Sequence, residues 1–190
     1  MIFNKKTRET TMRKLIVLAI AIMIAAGCQQ KQEPKSAQVQ YPGGQPALNQ
    51  AQMEQELKAL QEAIKKEPHN VNAWVKLGNL MMDGSRFNEA IAAYQNALSV
   101  NPKNIDVRVD LGTCLRSAGK PDLAAVVFKQ AIEMNPKHAI AHRNLGVVLA
   151  YDLKDKSGGI REFEKYLELA PYAPDAFQIR QAVDEMKGKK

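Results

Sequence analysis

Two histidines in the segment HAIAH are the side chains best suited, by type and spacing, to hold a metal ion. His138 and His142 lie four residues apart, which places two imidazoles on one face of a helix. No acidic or cysteine partner lies directly beside them, and the pattern places His138 in the loop before the helix. The sequence therefore predicts no metal site at this pair.

Paired carboxylates are the other candidates for chemistry, because two neighbouring acids can share general acid and base roles. Glu162 with Glu164, and Asp184 with Glu185, alternate with lysines and arginines. Such alternation is typical of a solvated helix face. No G-x-S-x-G, H-E-x-x-H or glycine-rich phosphate loop occurs, and KSGG lacks the rest of such a loop. We therefore expect neither catalysis nor a cofactor.

The elements that position these residues follow a repeat of 34 residues. Leu77-Gly78 recurs as Leu111-Gly112 and Leu145-Gly146. Downstream, the set Ala90, Tyr94, Ala97 and Pro102 recurs as Ala124, Phe128, Ala131 and Pro136. In each unit the apolar positions follow a helical period twice, with a short connection between the two stretches. The pattern predicts two helices whose backbones approach closely at the glycine and the alanines, with proline ending the second helix.

This period, with W-x2-L-G, an alanine, an aromatic residue and a closing proline, resembles the tetratricopeptide repeat family. The resemblance implies an all-α solenoid of helical hairpins with three full repeats, at 71–104, 105–138 and 139–173. A half repeat at 49–70 precedes them, and a capping helix and tail at 174–190 follow. Arg108 and His142 stand where the first unit has Trp74. The third unit aligns only with one residue inserted in YDLKDKSGG, which puts Gly159 at an alanine position.

The N-terminal segment MRKLIVLAIAIMIAAGC predicts export. Arg13 and Lys14 precede an apolar run of 12 residues, which is shorter than the roughly 18 to 20 residues that cross a bilayer. The run is therefore the core of a signal peptide at 1–27, with Met12 as a candidate start. AAGC resembles the lipobox of bacterial lipoproteins, although Ala25 stands where leucine is usual. This resemblance implies acyl chains on Cys28, and Gln29 is similar to residues that sort such proteins to the outer membrane.

The alternative is an ordinary cleavage site that releases a soluble protein. Residues 28–48 contain three prolines and few apolar residues, which predicts a flexible tether spanning about 25 Å. With Cys28 lipidated, Cys114 has no cysteine left to pair with. Because neighbouring units carry Leu80 and Val148 at its position, we expect Cys114 to be a small buried hydrophobic residue.

The charge balance argues against nucleic-acid binding. The formal net charge is +7, but residues 1–27 hold five basic residues and one acidic residue, which leaves 22 and 19 in the mature chain. That excess is small for a nucleic-acid interface, and export separates the protein from nucleic acid. We expect no nucleic-acid partner.

The tetratricopeptide resemblance implies a concave groove, lined by the first helix of each unit, that binds a partner segment. The groove side chains implied are Asn72, Asn79, Met82, Thr113, Arg116, Arg143 and Tyr151. Some family members clamp the C-terminal carboxylate of chaperones with Lys, Asn and Arg. Here Asn79 matches that set, whereas the other expected side chains are replaced by Val75, Asp110, Ile140 and Asn144. A mixed apolar and polar groove favours an extended or helical segment of an envelope protein.

Together these features predict a non-enzymatic, lipid-anchored scaffold that assembles envelope proteins at a bacterial membrane, on the outer membrane facing the periplasm. A related alternative is cytochrome c maturation, in which similar repeats bind the client's C-terminal segment. An enzyme or a metal-binding accessory is the alternative of a different class, and an activity lost on chelation would favour it.

The lipobox generates the first prediction, which concerns anchoring. Cys28→Ser removes the thiol that would be acylated, so the protein should leave the detergent phase or remain unprocessed, because several acyl chains are needed for lasting attachment. Detergent partitioning and mass spectrometry of the mature N-terminus measure this. An unmodified chain that begins at another residue would contradict the lipoprotein interpretation.

Overall fold

The computed structural model of the chain describes residues 50–188; the predicted signal peptide, Cys28 and the tether lie outside them. The described residues form eight α-helices and no strand. These are α1 (Gln50–Lys66), α2 (Val71–Asp83), α3 (Phe87–Val100), α4 (Ile105–Ser117), α5 (Pro121–Met134), α6 (Ala139–Val147), α7 (Lys156–Leu169) and α8 (Ala176–Met186). Each helix packs against the helices before and after it, which confirms the predicted solenoid of helical hairpins. Between residues 50 and 188, no helix is long and apolar enough to span a membrane.

The two helices of each unit meet where a glycine of the first faces an aromatic ring of the second. A Cβ on Gly112 would lie 2.6 Å from Phe128, and one on Gly146 would lie 2.6 Å from Phe163. Gly78 faces Tyr94 in the same way. All three rings are fully buried, so they have little room to move aside. The recurring Leu-Gly pair is therefore a packing requirement, as the repeat predicted.

The loops between units place the next helix through asparagine or histidine caps. Asn70 accepts the N–H of Ala73 at 3.0 Å, and Asn104 accepts that of Val107 at 3.1 Å. In the third unit His138 takes this role, because its Nδ1 accepts the N–H of Ala141 at 3.2 Å. Each cap satisfies a backbone donor that the helix itself leaves unpaired.

A second contact at each loop explains why Trp74, Arg108 and His142 can replace one another. Trp74 Nε1 donates to the carbonyl of Pro68 at 2.8 Å, and Arg108 Nη2 donates to that of Pro102 at 2.7 Å. His142 Nε2 makes the same contact with the Pro136 carbonyl at 3.0 Å. The slot therefore requires an N–H donor that reaches six residues back. Three unlike side chains provide one.

The residue inserted in the third unit forms a π-helical turn, Val148–Asp152, that continues α6. The Leu153 N–H donates to the Val148 carbonyl at 2.9 Å, five residues back, which is the wider spacing of a π-helix. A Cβ at Gly159 on α7 would lie 2.5 Å from the Cβ of Ala150. Glycine stands at this alanine position because a Cβ there would collide with Ala150 of the turn.

The two ends of the solenoid differ from its interior. On α1, Leu60 occupies the position of Tyr94 and is buried, which fits a half repeat. On α8, Ala176 and Val183 are buried, whereas Gln181 is exposed at the position of the packing glycine. Phe177 stands six residues after Pro171 in the donor slot, but its ring carries no N–H and is 63% exposed.

The glycine-ring contact generates the second prediction. In an ordinary helix Gly→Ala stabilises by about 1 kcal/mol, but Gly112→Ala should lower the free energy of unfolding by about 1 to 2 kcal/mol, because overpacking a filled core costs more. Urea denaturation of wild type, Gly112→Ala and the exposed-loop control Lys103→Ala measures this. Adding Phe128→Leu should recover part of the loss. Destabilisation by Lys103→Ala alone would contradict the assigned register.

Candidate partner-binding groove

The first helices of the three units, α2, α4 and α6 with its π-helical turn, carry the seven side chains predicted to line a groove. Asn72, Asn79, Arg116 and Tyr151 are exposed. Met82, Thr113 and Arg143 are partly buried, and Met82 packs against the core. By exposure, the seven residues therefore divide into four accessible side chains and three partly buried ones.

Below the accessible side chains lies a polar floor joined by hydrogen bonds. The Tyr94 hydroxyl donates to Asn79 Oδ1 at 2.7 Å, so the amide N–H groups of Asn79 remain available as donors. Burial raises the pKa of Tyr94, which keeps that hydroxyl protonated. In the next units, Asn144 Nδ2 donates to Thr113 Oγ1 at 3.3 Å. These contacts fix the orientation of amide and hydroxyl groups along the groove.

Both groove arginines are paired with aspartates of the following unit. Arg116 Nε lies 2.5 Å from Asp152 Oδ2, and its Nη2 lies 3.2 Å from Oδ1, a bidentate pair. Arg143 binds Asp175, which also accepts the Tyr166 hydroxyl. Burial alone would raise the pKa of Asp175, but these two hydrogen bonds hold it below its usual range. Each arginine links successive units, and a role for either in partner binding stays a prediction.

The sequence interpretation did not include the two aspartate partners, although their spacing from the arginines indicates them. Asp152 lies 36 residues after Arg116, and Asp175 lies 32 residues after Arg143. Both separations are close to the repeat period, so residues of neighbouring units meet. A comparison of opposite charges about one period apart would have identified both pairs.

Asp110, on α4, is the carboxylate that the chain leaves without a partner in this region. It is partly buried, and the described residues provide it with neither a hydrogen bond nor an ion pair. Burial, together with the negative charge of Asp106, raises its pKa to about 6, while His138 acts in the opposite direction. Its charged form is therefore costly in the folded chain at neutral pH.

The two histidines of HAIAH have separate partners. His138 Nε2 lies 3.0 Å from Asp106 Oδ1, while its Nδ1 caps α6. His142 is buried, with Nδ1 2.6 Å from Glu162 Oε2 and Nε2 on the Pro136 carbonyl. Each imidazole has a structural role. Within residues 50–188, no group of three or more His, Cys, Asp or Glu side chains could hold a metal ion.

Cys114 is fully buried on α4, in agreement with its expected apolar role. Burial and the neighbouring charge of Asp110 raise the pKa of its thiol to about 12. Because the thiolate is the reactive form, this cysteine is a poor nucleophile at neutral pH.

Most of the chain matches a known family. A family model described as the cytochrome c-type biogenesis protein H TPR domain matches residues 26–176. The chain belongs to this family. A search of curated proteins finds no match.

Solved structures share the fold. Two crystal structures of MamA are 24% identical to this chain, each with a TM-score of 0.66, and the match covers 73% of this chain and 80% and 75% of theirs. YrrB, described as a TPR protein with an unusual peptide-binding site, is 24% identical with a TM-score of 0.61, covering 74% of this chain and 72% of that one. These likenesses confirm the tetratricopeptide solenoid.

The unpartnered carboxylate generates the third prediction. The folded-state pKa of Asp110, about 6, lies above the ordinary value of 3.8, so the chain should lose stability as pH rises through 4 to 6, by at most about 3 kcal/mol. Asp110→Asn removes this cost and should therefore raise the melting temperature at pH 7.5, with a smaller gain at pH 5. Thermal melts across this range measure the difference. An Asn variant that is less stable than wild type at pH 7.5 would contradict the assignment.

Proposed function

We propose that this protein is a non-enzymatic scaffold that binds a segment of a partner protein along α2, α4 and α6. The observation that carries the proposal is a row of accessible side chains on the first helices of three successive units, above hydrogen bonds that orient Asn79 in the first unit and join Thr113 of the second unit to Asn144 of the third. Such a surface suits a segment running across the units, because each unit offers contacts at the same positions.

The partner that we propose is a client of cytochrome c maturation, held by its C-terminal segment. Membership in the cytochrome c-type biogenesis protein H TPR domain family supports this choice over other assembly pathways in the envelope. The groove itself is mixed in character. Ile140 and Tyr151 are 40% and 49% exposed apolar side chains, and Asn79 offers free amide donors. This mixture suits an amphipathic segment rather than a purely polar one.

Anchoring at the membrane is the second part of the proposal, and the sequence of residues 12–28 supports it. Acyl chains on Cys28 would hold the protein on the membrane, with the outer membrane favoured by Gln29. The tether that follows would keep the helical units clear of the lipid headgroups. A scaffold held there meets its clients as they emerge from export.

A matched pair of double variants tests the groove. Ile140→Ser with Tyr151→Ser removes two exposed apolar side chains from the groove face. Leu123→Ser with Val126→Ser removes two similarly exposed ones, 54% and 51%, from α5, the second helix of its unit. The groove variant should lower crosslinked capture of the client cytochrome at least about fivefold, because apolar residues at the centre of an interface are the ones whose truncation costs more than about 1 kcal/mol. Capture from membranes and haem staining of mature cytochrome c are the two readouts.

Melting curves establish that both double variants fold. Loss of capture in the α5 variant, with full capture in the groove variant, would place the binding surface on the second helices and overturn the groove assignment. Capture of other envelope proteins with normal cytochrome c content would favour general assembly over cytochrome maturation.

A further inference from the structure

The charges that remain available on the groove face differ from those that the sequence suggests. Arg116 and Arg143 are neutralised by Asp152 and Asp175, so neither offers a free cation to a partner. The two arginines therefore add no net positive charge to the face.

In contrast to the two arginines, Asp110 has no charge partner among the described residues. It lies on α4, in the central unit of the three. Its neighbours are polar or acidic: Tyr94 of the first unit, which its charge affects, Asp106 one turn earlier on α4, and His138, which caps the first helix of the third unit. His138 is already bound to Asp106 at 3.0 Å. Lys76 holds the equivalent position one unit earlier, but no ion pair joins it to Asp110. A partly buried carboxylate in this setting lacks a cation.

Burial makes this arrangement unfavourable for the free protein, because the charged carboxylate loses water and gains no hydrogen bond. A cation supplied by a partner would remove that penalty and would bind in a poorly solvated site, where charge pairing is stronger than at an open surface. In the next unit Ile140 and Tyr151 expose apolar surface. The face therefore combines one unsatisfied anion on α4 with an exposed apolar side chain at each end of the first helix of the next unit.

We propose that the bound segment carries a lysine or arginine whose cation pairs with Asp110, and apolar side chains that contact Ile140 and Tyr151 in turn. This inference rests on the proposed function, since it specifies the chemistry of the segment held in the same groove. The occupant is an exported polypeptide segment with basic and apolar residues. An acidic segment, or a C-terminal carboxylate alone, would face Asp110 unfavourably.

Three synthetic amphipathic peptides of equal length test the charge. Each contains leucine and alanine, and they differ only in carrying lysine, glutamine or glutamate at the same sites. Fluorescence anisotropy with the detergent-solubilised mature protein gives the dissociation constants. The lysine peptide should bind tightest, and Asp110→Asn should weaken it by about 10- to 100-fold, the range expected for a charge-assisted hydrogen bond. Raising the salt concentration should reduce, but not abolish, the difference in affinity between the lysine and glutamine peptides, because the site is partly buried.

Two control variants test whether the affinity for the lysine peptide depends on the charge at Asp110 rather than on other charges of the surface. Glu133→Gln removes an exposed carboxylate from α5 and should leave the lysine peptide unaffected. Lys76→Gln removes a cation from the groove face and should leave binding equal or tighter. Because Asp110→Asn is expected to be as stable as wild type or more so, a melting curve separates lost binding from lost folding.

Equal binding of the lysine peptide by wild type and Asp110→Asn would overturn the inference, as would absence of binding or preference for the glutamate peptide. An Asp110-dependent dimer in sedimentation would also overturn it, because the occupant would then be a second copy of this chain. None of these results would affect the groove assignment if the Ile140 and Tyr151 double variant still lost the client.

Discussion

The contact of a glycine backbone with an aromatic ring, made once in each of the three units, governs the rest of the solenoid. Gly78, Gly112 and Gly146 each face a buried ring of the next helix. A glycine in a helix interior is unfavourable by itself, so its repeated presence shows that the packing gain exceeds that cost. Once the hairpin angle is set in this way, the first helix of each unit is directed toward the same face. The groove is a consequence of that repetition.

Successive hairpins are joined by a different set of contacts. The donor slot of each first helix reaches the carbonyl of the preceding proline, and arginine-aspartate pairs connect neighbouring units. In the second unit this arrangement leaves Arg108 Nε buried without a hydrogen-bond partner among the described residues, although its other nitrogens bind Pro102 and Gln130. One unsatisfied donor is tolerated because the remaining contacts hold the side chain in place.

Periodicity predicted the helices, the packing glycines and the inserted residue of the third unit, because each follows from spacing along one chain. It did not predict that Trp74, Arg108 and His142 share a role. That equivalence depends on the position of the side-chain N–H relative to the proline carbonyl, which spacing along the chain does not give. The pairing of Arg116 and Arg143 was missed for a related reason. A position can be assigned to a face from its register, but whether its charge is already satisfied depends on the neighbouring unit. The same holds for Asp110, whose burial reflects both adjoining hairpins.

The last unit shows how a stack of this kind acquires a definite length. A repeating hairpin has no inherent stopping point, since every copy offers the next one the same surface. Here the slot after Pro171 holds Phe177, which cannot donate to the proline carbonyl, and Gln181 has a side chain where a following helix would need bare backbone. Two side chains therefore distinguish a terminus from an interior unit. A further unit would need an N–H donor at position 177 and a glycine at position 181, and the groove of the existing units would remain as it is.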